Sequence, residues 1–207
     1  MSALQQRAED FSSFARIVMV PGHEEMWFAI RDIPNYRAGF TAADLARVSG
    51  ADREATEFYL AKLARQGRAE RLGTTTDKQA LYAVLRVGVE PVVLTDSGQP
   101  SPDYTRRHAL WNAMRILKKF TVRDLWTNVR EANPVTQAMV AKYVSRLHAA
   151  GYLADLEGDG RFGEKEYALR PAMNTGRRPP RLCEAELIFD PNKQAFYGTA
   201  EAREVRL

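Results

Sequence analysis

The residues with the clearest chemical pattern lie between Pro134 and Ala150. Helical spacing puts Val140, Tyr143, Val144 and Leu147 on one side of this segment and Thr136, Gln137, Lys142 and Arg146 on the other. The outer four all offer hydrogen-bond donors, two of them carry positive charge, and the segment contains no carboxylate. That is the chemistry of a nucleic-acid-facing helix, with amide and hydroxyl groups for base edges and cations for phosphates. Nearby cations extend the pattern: Arg123 upstream, Arg161 and Lys165 downstream, then Arg177 and Arg178. The alternative is a solvated polar face on a helix that binds protein or nothing.

Other chemistry is poorly represented. His23, His108 and His148 are not at ligand spacing from one another or from Cys183, so no metal is expected. Gly158, Gly160 and Gly163 match a dinucleotide-binding pattern only by letters, because they fall in a hairpin tip and not between a strand and a helix. No nucleophile–base set is apparent, so neither a cofactor nor an enzymatic activity is expected.

The charge supports a polyanion partner for one half only. Residues 1–90 hold 12 basic and 12 acidic groups, whereas residues 104–181 hold 15 basic against 7 acidic. With 207 residues, 45% of them hydrophobic and 27% charged, the chain is long enough for two small globular domains. A single cysteine, no signal-peptide pattern and no apolar run approaching 18 residues lead to the expectation of a cytoplasmic protein without membrane contact.

The elements that must position these side chains occur twice. One copy reads Met26-Trp27-x-Ala29-Ile30-Arg31, then Phe40-Thr41-x-x-Asp44-Leu45, then a helix ending Leu63-x-x-x-Gly67. The other reads Leu110-Trp111-x-Ala113-Met114-Arg115, then Phe120-Thr121-x-x-Asp124-Leu125, then Leu147-x-x-x-Gly151. From Trp to Gly is 40 residues in both, while the loops between trade lengths, which marks a duplicated domain. In each copy three helices precede two short strand-like runs. Asn133-Pro134 is read as the cap and first turn of the third helix of the second copy.

The order of three helices and a hairpin, with Val135-Thr136-Gln137-x-x-Val140-x-Lys142-Tyr143-Val144-Ser145-Arg146-Leu147-x-x-x-Gly151-Tyr152-Leu153, resembles the winged-helix superfamily over residues 23–86 and 107–170. The Trp-x-Ala-Met-Arg and Phe-Thr-x-x-Asp-Leu wording, with Asn174-Thr175-Gly176 and Pro180-Arg181, is also similar to small proteins of Mu-like transposable bacteriophages. The resemblance implies a mainly α fold with small β-hairpins (α+β) built as two tandem winged helix-turn-helix domains. It also implies double-stranded DNA binding in which the third helix enters the major groove and the hairpin tip meets the backbone. Arg123, Thr136, Gln137, Lys142, Arg146, Arg161, Lys165, Arg177 and Arg178 would make the contacts. The alternatives are a tandem winged-helix scaffold for protein partners and an RNA-binding module.

The expected organisation is an N-terminal helix over 1–22, domain one over 23–88, a linker over 89–103 and domain two over 104–171. A basic segment, a hairpin around Asp190–Lys193 and a loose tail fill 172–207. At positions aligned with Thr136, Gln137, Lys142 and Arg146 the first copy has Asp52, Arg53, Phe58 and Lys62, with Glu54 and Glu57 between. Carboxylates oppose phosphate binding, so the first domain is expected to bind DNA weakly. A second copy or another protein is assigned to this domain or to the N-terminal helix, with Phe58 either exposed for such a contact or packed under the hairpin.

Overall fold

In the computed structural model, the described residues are 15–159, 164–186, 188–190 and 195–207. They form a mixed α+β structure of six α-helices and three small sheets, in two compact units: Met1–Ser101 with Glu186–Ala202, and Pro102–Ala185 with Arg203–Leu207.

The first unit begins with β1 (Ala15–Met19), which pairs in parallel with the later strand β10 (Ala195–Glu204) in a register that sets Ile17 against Ala200. Then follow α1 (His23–Ala29), a 3-10 turn (Ile30–Asp32), β2 (Phe40–Thr41), α2 (Ala42–Ser49), α3 (Arg53–Arg65), β3 (Glu70–Thr74) and β4 (Ala80–Ala83). The small sheet runs β2-β4-β3, antiparallel throughout. Trp27, Ile30, Phe40, Leu45, Tyr59, Leu60 and Leu63 fill the core.

The second unit repeats the order with α4 (Pro102–Leu117), β5 (Lys119–Phe120), α5 (Val122–Val129), α6 (Gln137–Ala149), β6 (Leu153–Asp159) and β7 (Lys165–Leu169), in the sheet order β5-β7-β6. Its core is Leu110, Trp111, Met114, Phe120, Leu125, Tyr143, Val144 and Leu147.

Two local devices explain why the repeated letters fold alike. Thr41 and Thr121 cap α2 and α5, each hydroxyl accepting an N–H from the Asp three residues on (3.3 and 3.1 Å). Each Asp carboxylate accepts the Thr backbone N–H in return, at 2.9 Å in both units. These bonds hold the Asp44 carboxyl below its ordinary pKa, the Thr41 backbone N–H first among the causes. Gly67 and Gly151, with φ of 64° and 78°, then turn the chain out of α3 and α6. The next N–H groups reach back to Leu63 O (2.8 Å) and Leu147 O (2.9 Å). A Cβ at either glycine would meet nothing within 4 Å, so backbone conformation alone selects the residue.

The repeat extends beyond the hairpins. Trp27 Nε1 donates to Gly88 O at 3.3 Å and Trp111 Nε1 to Gly176 O at 2.8 Å. Tyr59 Oη donates to Val92 O and Tyr143 Oη to Pro180 O, both at 2.8 Å. The segments that supply these acceptors read Gly88-x-x-Pro91-x-x-Leu94 and Gly176-x-x-Pro179-x-x-Leu182, and each lies as a strap across its own unit. Burial raises both phenol pKa values well above the ordinary range, so the two hydroxyls remain donors. Four residues before each Trp the units differ. His23 stacks on Tyr59 with ring centroids 4.5 Å apart and accepts the Leu94 N–H on Nδ1 at 3.1 Å, whereas Arg107 pairs with Glu204.

Several expectations are corrected. Residues 15–19 of the expected N-terminal helix are a strand: the β-branched pair Ile17-Val18 takes ladder bonds from β10, and tertiary pairing overrides the helical spacing. Phe11 and Phe14, which stand at helical spacing from Ile17 and Val18 in the sequence, lie outside the described residues. The expected linker 89–103, whose Pro91-Val92-Val93-Leu94 run the sequence also allows as a packed strand, belongs to the first unit as far as Ser101. Its strap packs Leu94 into the first core, a Leu94–Pro100 bridge closes a turn, and α4 already starts at Pro102. The third helix of the second unit starts after Thr136, not at Asn133-Pro134. The Asn133 N–H is spent on Val129 O, and the Pro134 and Val135 carbonyls accept from Arg106 Nε (2.7 Å) and Trp126 Nε1 (3.1 Å). The tail expected to be loose is the end of β10: Arg203 pairs with Glu184 and Glu204 with Cys183 in β8 (Cys183–Glu184). The hairpin before it is β9 (Ile188–Asp190) against Ala195–Tyr197 of β10.

Two outcomes are expected. Thr121→Ala lowers the unfolding free energy measured by denaturant titration by about 1 kcal/mol, because the cap of α5 is lost while Phe120 stays buried. His23 is held neutral by burial and by the Lys62 ammonium, with Asp96 opposing, and its pKa falls from 6.5 to about 4. The unfolded chain therefore binds more protons over that interval, so the contribution of His23 is complete above pH 6.5 and is lost as pH falls toward 4. Thermal unfolding of a His23→Gln variant should depend less on pH across this window than that of the wild type.

Candidate nucleic-acid interface

The outward side of α6 is built from below. Val140, Tyr143, Val144 and Leu147 are buried against α4, α5 and the sheet, which leaves Gln137, Ala138, Ala141, Lys142, Ser145 and Arg146 exposed. Lys142 and Arg146 are one turn apart on a common flank. Lys142 Nζ donates to the Arg206 carbonyl at 3.1 Å, so this flank is turned toward the C-terminal residues. Thr136 is the N-cap, and its hydroxyl accepts the Met139 N–H at 3.2 Å. Its role is therefore to start the helix, and its oxygen is engaged there.

Gln137 borders a shallow groove of about 540 Å³ between the start of α5, the first turns of α6 and β7, lined also by Val122, Ala138, Ala141, Glu164, Lys165 and Tyr167. The cations on this side are neutralised. Arg123 Nη1 lies 4.0 Å from Glu164 Oε1, and Lys165 Nζ lies 2.9 Å from Asp155 Oδ2. The hydrogen bond from Asp155 raises the Lys165 pKa, so this exposed ammonium stays charged but paired. His148 Nε2 meets the other oxygen of Asp155 at 2.9 Å, which ties α6 to the hairpin. Arg161 lies outside the described residues. Arg177 and Arg178 are exposed on the strap, just before the Pro180 carbonyl that holds Tyr143 from beneath α6.

The named residues thus divide. Gln137 and Lys165 line the groove and Arg123 pairs with its lining residue Glu164, Lys142 and Arg146 share the opposite flank, and Arg177 with Arg178 lie on the strap. Sequence reasoning did not find what holds the second group. Arg107, 2% exposed, reaches Glu204 Oε1 with Nη2, while its Nε and Nη1 find no hydrogen-bond partner among the described residues. Arg181 Nη1 lies 3.7 Å from the other Glu204 oxygen. No spacing signals a pairing between residues nearly a hundred positions apart. The strap did carry a signal, the second Gly-x-x-Pro-x-x-Leu.

The first unit places different chemistry at the matching positions. Its groove, about 560 Å³, is lined by Glu54, Glu57, Phe58, Asp77, Arg71 and Lys78 among others. Phe58 is 59% exposed, so it does not pack under the hairpin. Lys62, aligned with Arg146, is buried to 9% exposure and pairs with Asp96 at 3.6 Å. Arg53, aligned with Gln137, is held by Glu57 at 3.2 Å. An approaching phosphate would meet carboxylates on α3 and would find no available cation at the Lys62 position.

No protein-family profile matches the chain, and no curated protein is detectably similar to it in sequence. Among the described residues there is no group of three or more His, Cys, Asp or Glu able to hold a metal ion, and no helix is long and apolar enough to cross a membrane.

Glu204→Ala strands a buried guanidinium. The expected cost is about 3 kcal/mol, the low end for a broken buried pair because the Glu204 side chain is 33% exposed. A denaturation midpoint unchanged from wild type would contradict this account of the pair.

Proposed function

We propose that the chain is a tandem winged-helix protein that binds double-stranded DNA through its second unit, as a transcriptional regulator or DNA-associated accessory factor of bacterial or phage origin. The observation that carries this reading is the outward face of α6. It offers Gln137, Lys142 and Arg146 with no carboxylate on the helix, while the matching face of α3 offers Glu54, Glu57 and Phe58. In this reading α6 enters the major groove, Gln137 addresses a base edge, and Lys142 and Arg146 take phosphates, with Arg177 and Arg178 extending the positive surface along the strap. Arg123 and Lys165 contribute only if phosphate displaces Glu164 and Asp155.

A second reading has one observation in its favour. The exposed Phe58 beside Glu54 and Glu57 suits a protein contact better than a nucleic-acid one. It assigns the first unit to a protein partner within a chromosome or phage DNA complex, and partners retained after nuclease treatment in a pulldown would support it.

Duplex binding followed against salt tests the leading reading. Wild type should lose affinity linearly on a log–log scale, and Lys142→Ala/Arg146→Ala should lower the slope by about two and weaken binding roughly 10- to 100-fold. Both side chains are exposed, so the thermal midpoint should barely move. Salt-independent binding, or full affinity in the double variant, would overturn the assignment, and preference for RNA in competition would redirect it.

A further inference from the structure

Residues 203–207 are held against the second unit at every position. Arg203 and Glu204 pair with β8, and Glu204 also meets Arg107 and Arg181. The Val205 N–H donates to Leu182 O at 2.9 Å, and the Leu207 N–H donates to Asp103 Oδ2 at 3.1 Å while its side chain packs on the core. Arg206 uses only its carbonyl, which accepts from Lys142 Nζ. Val205 and Leu207 are half-buried and Arg206 is exposed, the alternation of an extended chain lying on a surface. Its guanidinium therefore projects from a fixed backbone point one hydrogen bond away from Lys142.

We propose that Arg206 is a phosphate-contacting residue of the second unit, forming one cationic site with Lys142 and Arg146. This rests on the DNA-binding reading and adds to it a residue from outside the three-helix and hairpin repeat. The groove side of α6 has a carboxylate for each described cation, Glu164 for Arg123 and Asp155 for Lys165. On the Lys142 flank no carboxylate pairs with Lys142, Arg146 or Arg206 among the described residues, and Lys142 is satisfied by a neutral carbonyl. A phosphate at this flank would meet cations that no carboxylate pairs, on a helix that carries no acidic residue. A nucleic-acid phosphate fits the site because the base-facing residue Gln137 is on the same helix.

The test is fluorescence anisotropy of a labelled duplex with the full chain over a salt series. Arg206→Ala should bind roughly fivefold to tenfold more weakly and lose about one unit of slope, the counterion release of one phosphate contact. Arg206→Lys should retain the slope, and Arg47→Ala, on an exposed turn of α2 in the first unit, should match wild type. The thermal midpoint of Arg206→Ala should equal that of wild type, since the carbonyl and both neighbouring anchors remain. Wild-type affinity and slope in Arg206→Ala would overturn this inference while leaving the DNA-binding reading intact. A weaker affinity with an unchanged slope would overturn it as well. A wild-type protein without salt-dependent binding would overturn both.

Discussion

A buried indole N–H or phenol O–H needs an acceptor, and in both units that acceptor comes from main chain beyond the hairpin. Trp27 and Trp111 take the carbonyls of Gly88 and Gly176, and Tyr59 and Tyr143 take those of Val92 and Pro180. Left unmet, each such group would cost on the order of 1–3 kcal/mol. The strap is therefore part of the fold. It closes the side of the core that three short helices leave open, and in the second unit it holds from below the helix whose outer face carries Gln137, Lys142 and Arg146.

The same frame carries two different surfaces. The caps, the αL glycines, the Trp and Tyr anchors and the straps coincide, so the buried half of each third helix is interchangeable. The outward half is not. Phe58, Lys62 and Arg53 stand where Lys142, Arg146 and Gln137 stand in the second unit: Phe58 is an exposed groove wall, and Lys62 is buried under the Thr95–Gln99 turn with Asp96. The two units thus share a core and differ in the chemistry of the outward face of the third helix.

Much of this was legible because it is local. Within the two repeat copies, a Thr followed three residues later by Asp, a helix ending in Gly, and an apolar stripe every three to four residues are decided by bonds within a few positions, and each appears where the letters place it. What was not legible depends on distant chain. Ile17-Val18 became a strand because Ala200 and Glu201 lie beside it. Arg107 is a core residue because Glu204 meets it. The cations on the hairpin side read as available from composition, yet Glu164 and Asp155 occupy them. The face of Lys142 was legible, and its neighbour Arg206 was not, because the tail carries no periodicity. The strap was legible in principle, but proline-rich sequence invites the reading of a linker.

The route of the chain has a consequence for synthesis. Both units draw on late residues, the first on Glu186–Ala202 and the second on Arg203–Leu207. As the chain leaves the ribosome, β1 waits for β10 and Arg107 waits for Glu204, so neither unit can be completed in the N-to-C order in which domains commonly fold. The helices and hairpins form early from local signals, while closure is a long-range, slow step shared by both halves. Until then an apolar strand edge and a bare guanidinium stay open to water, and this is the interval in which a chaperone would have something to hold.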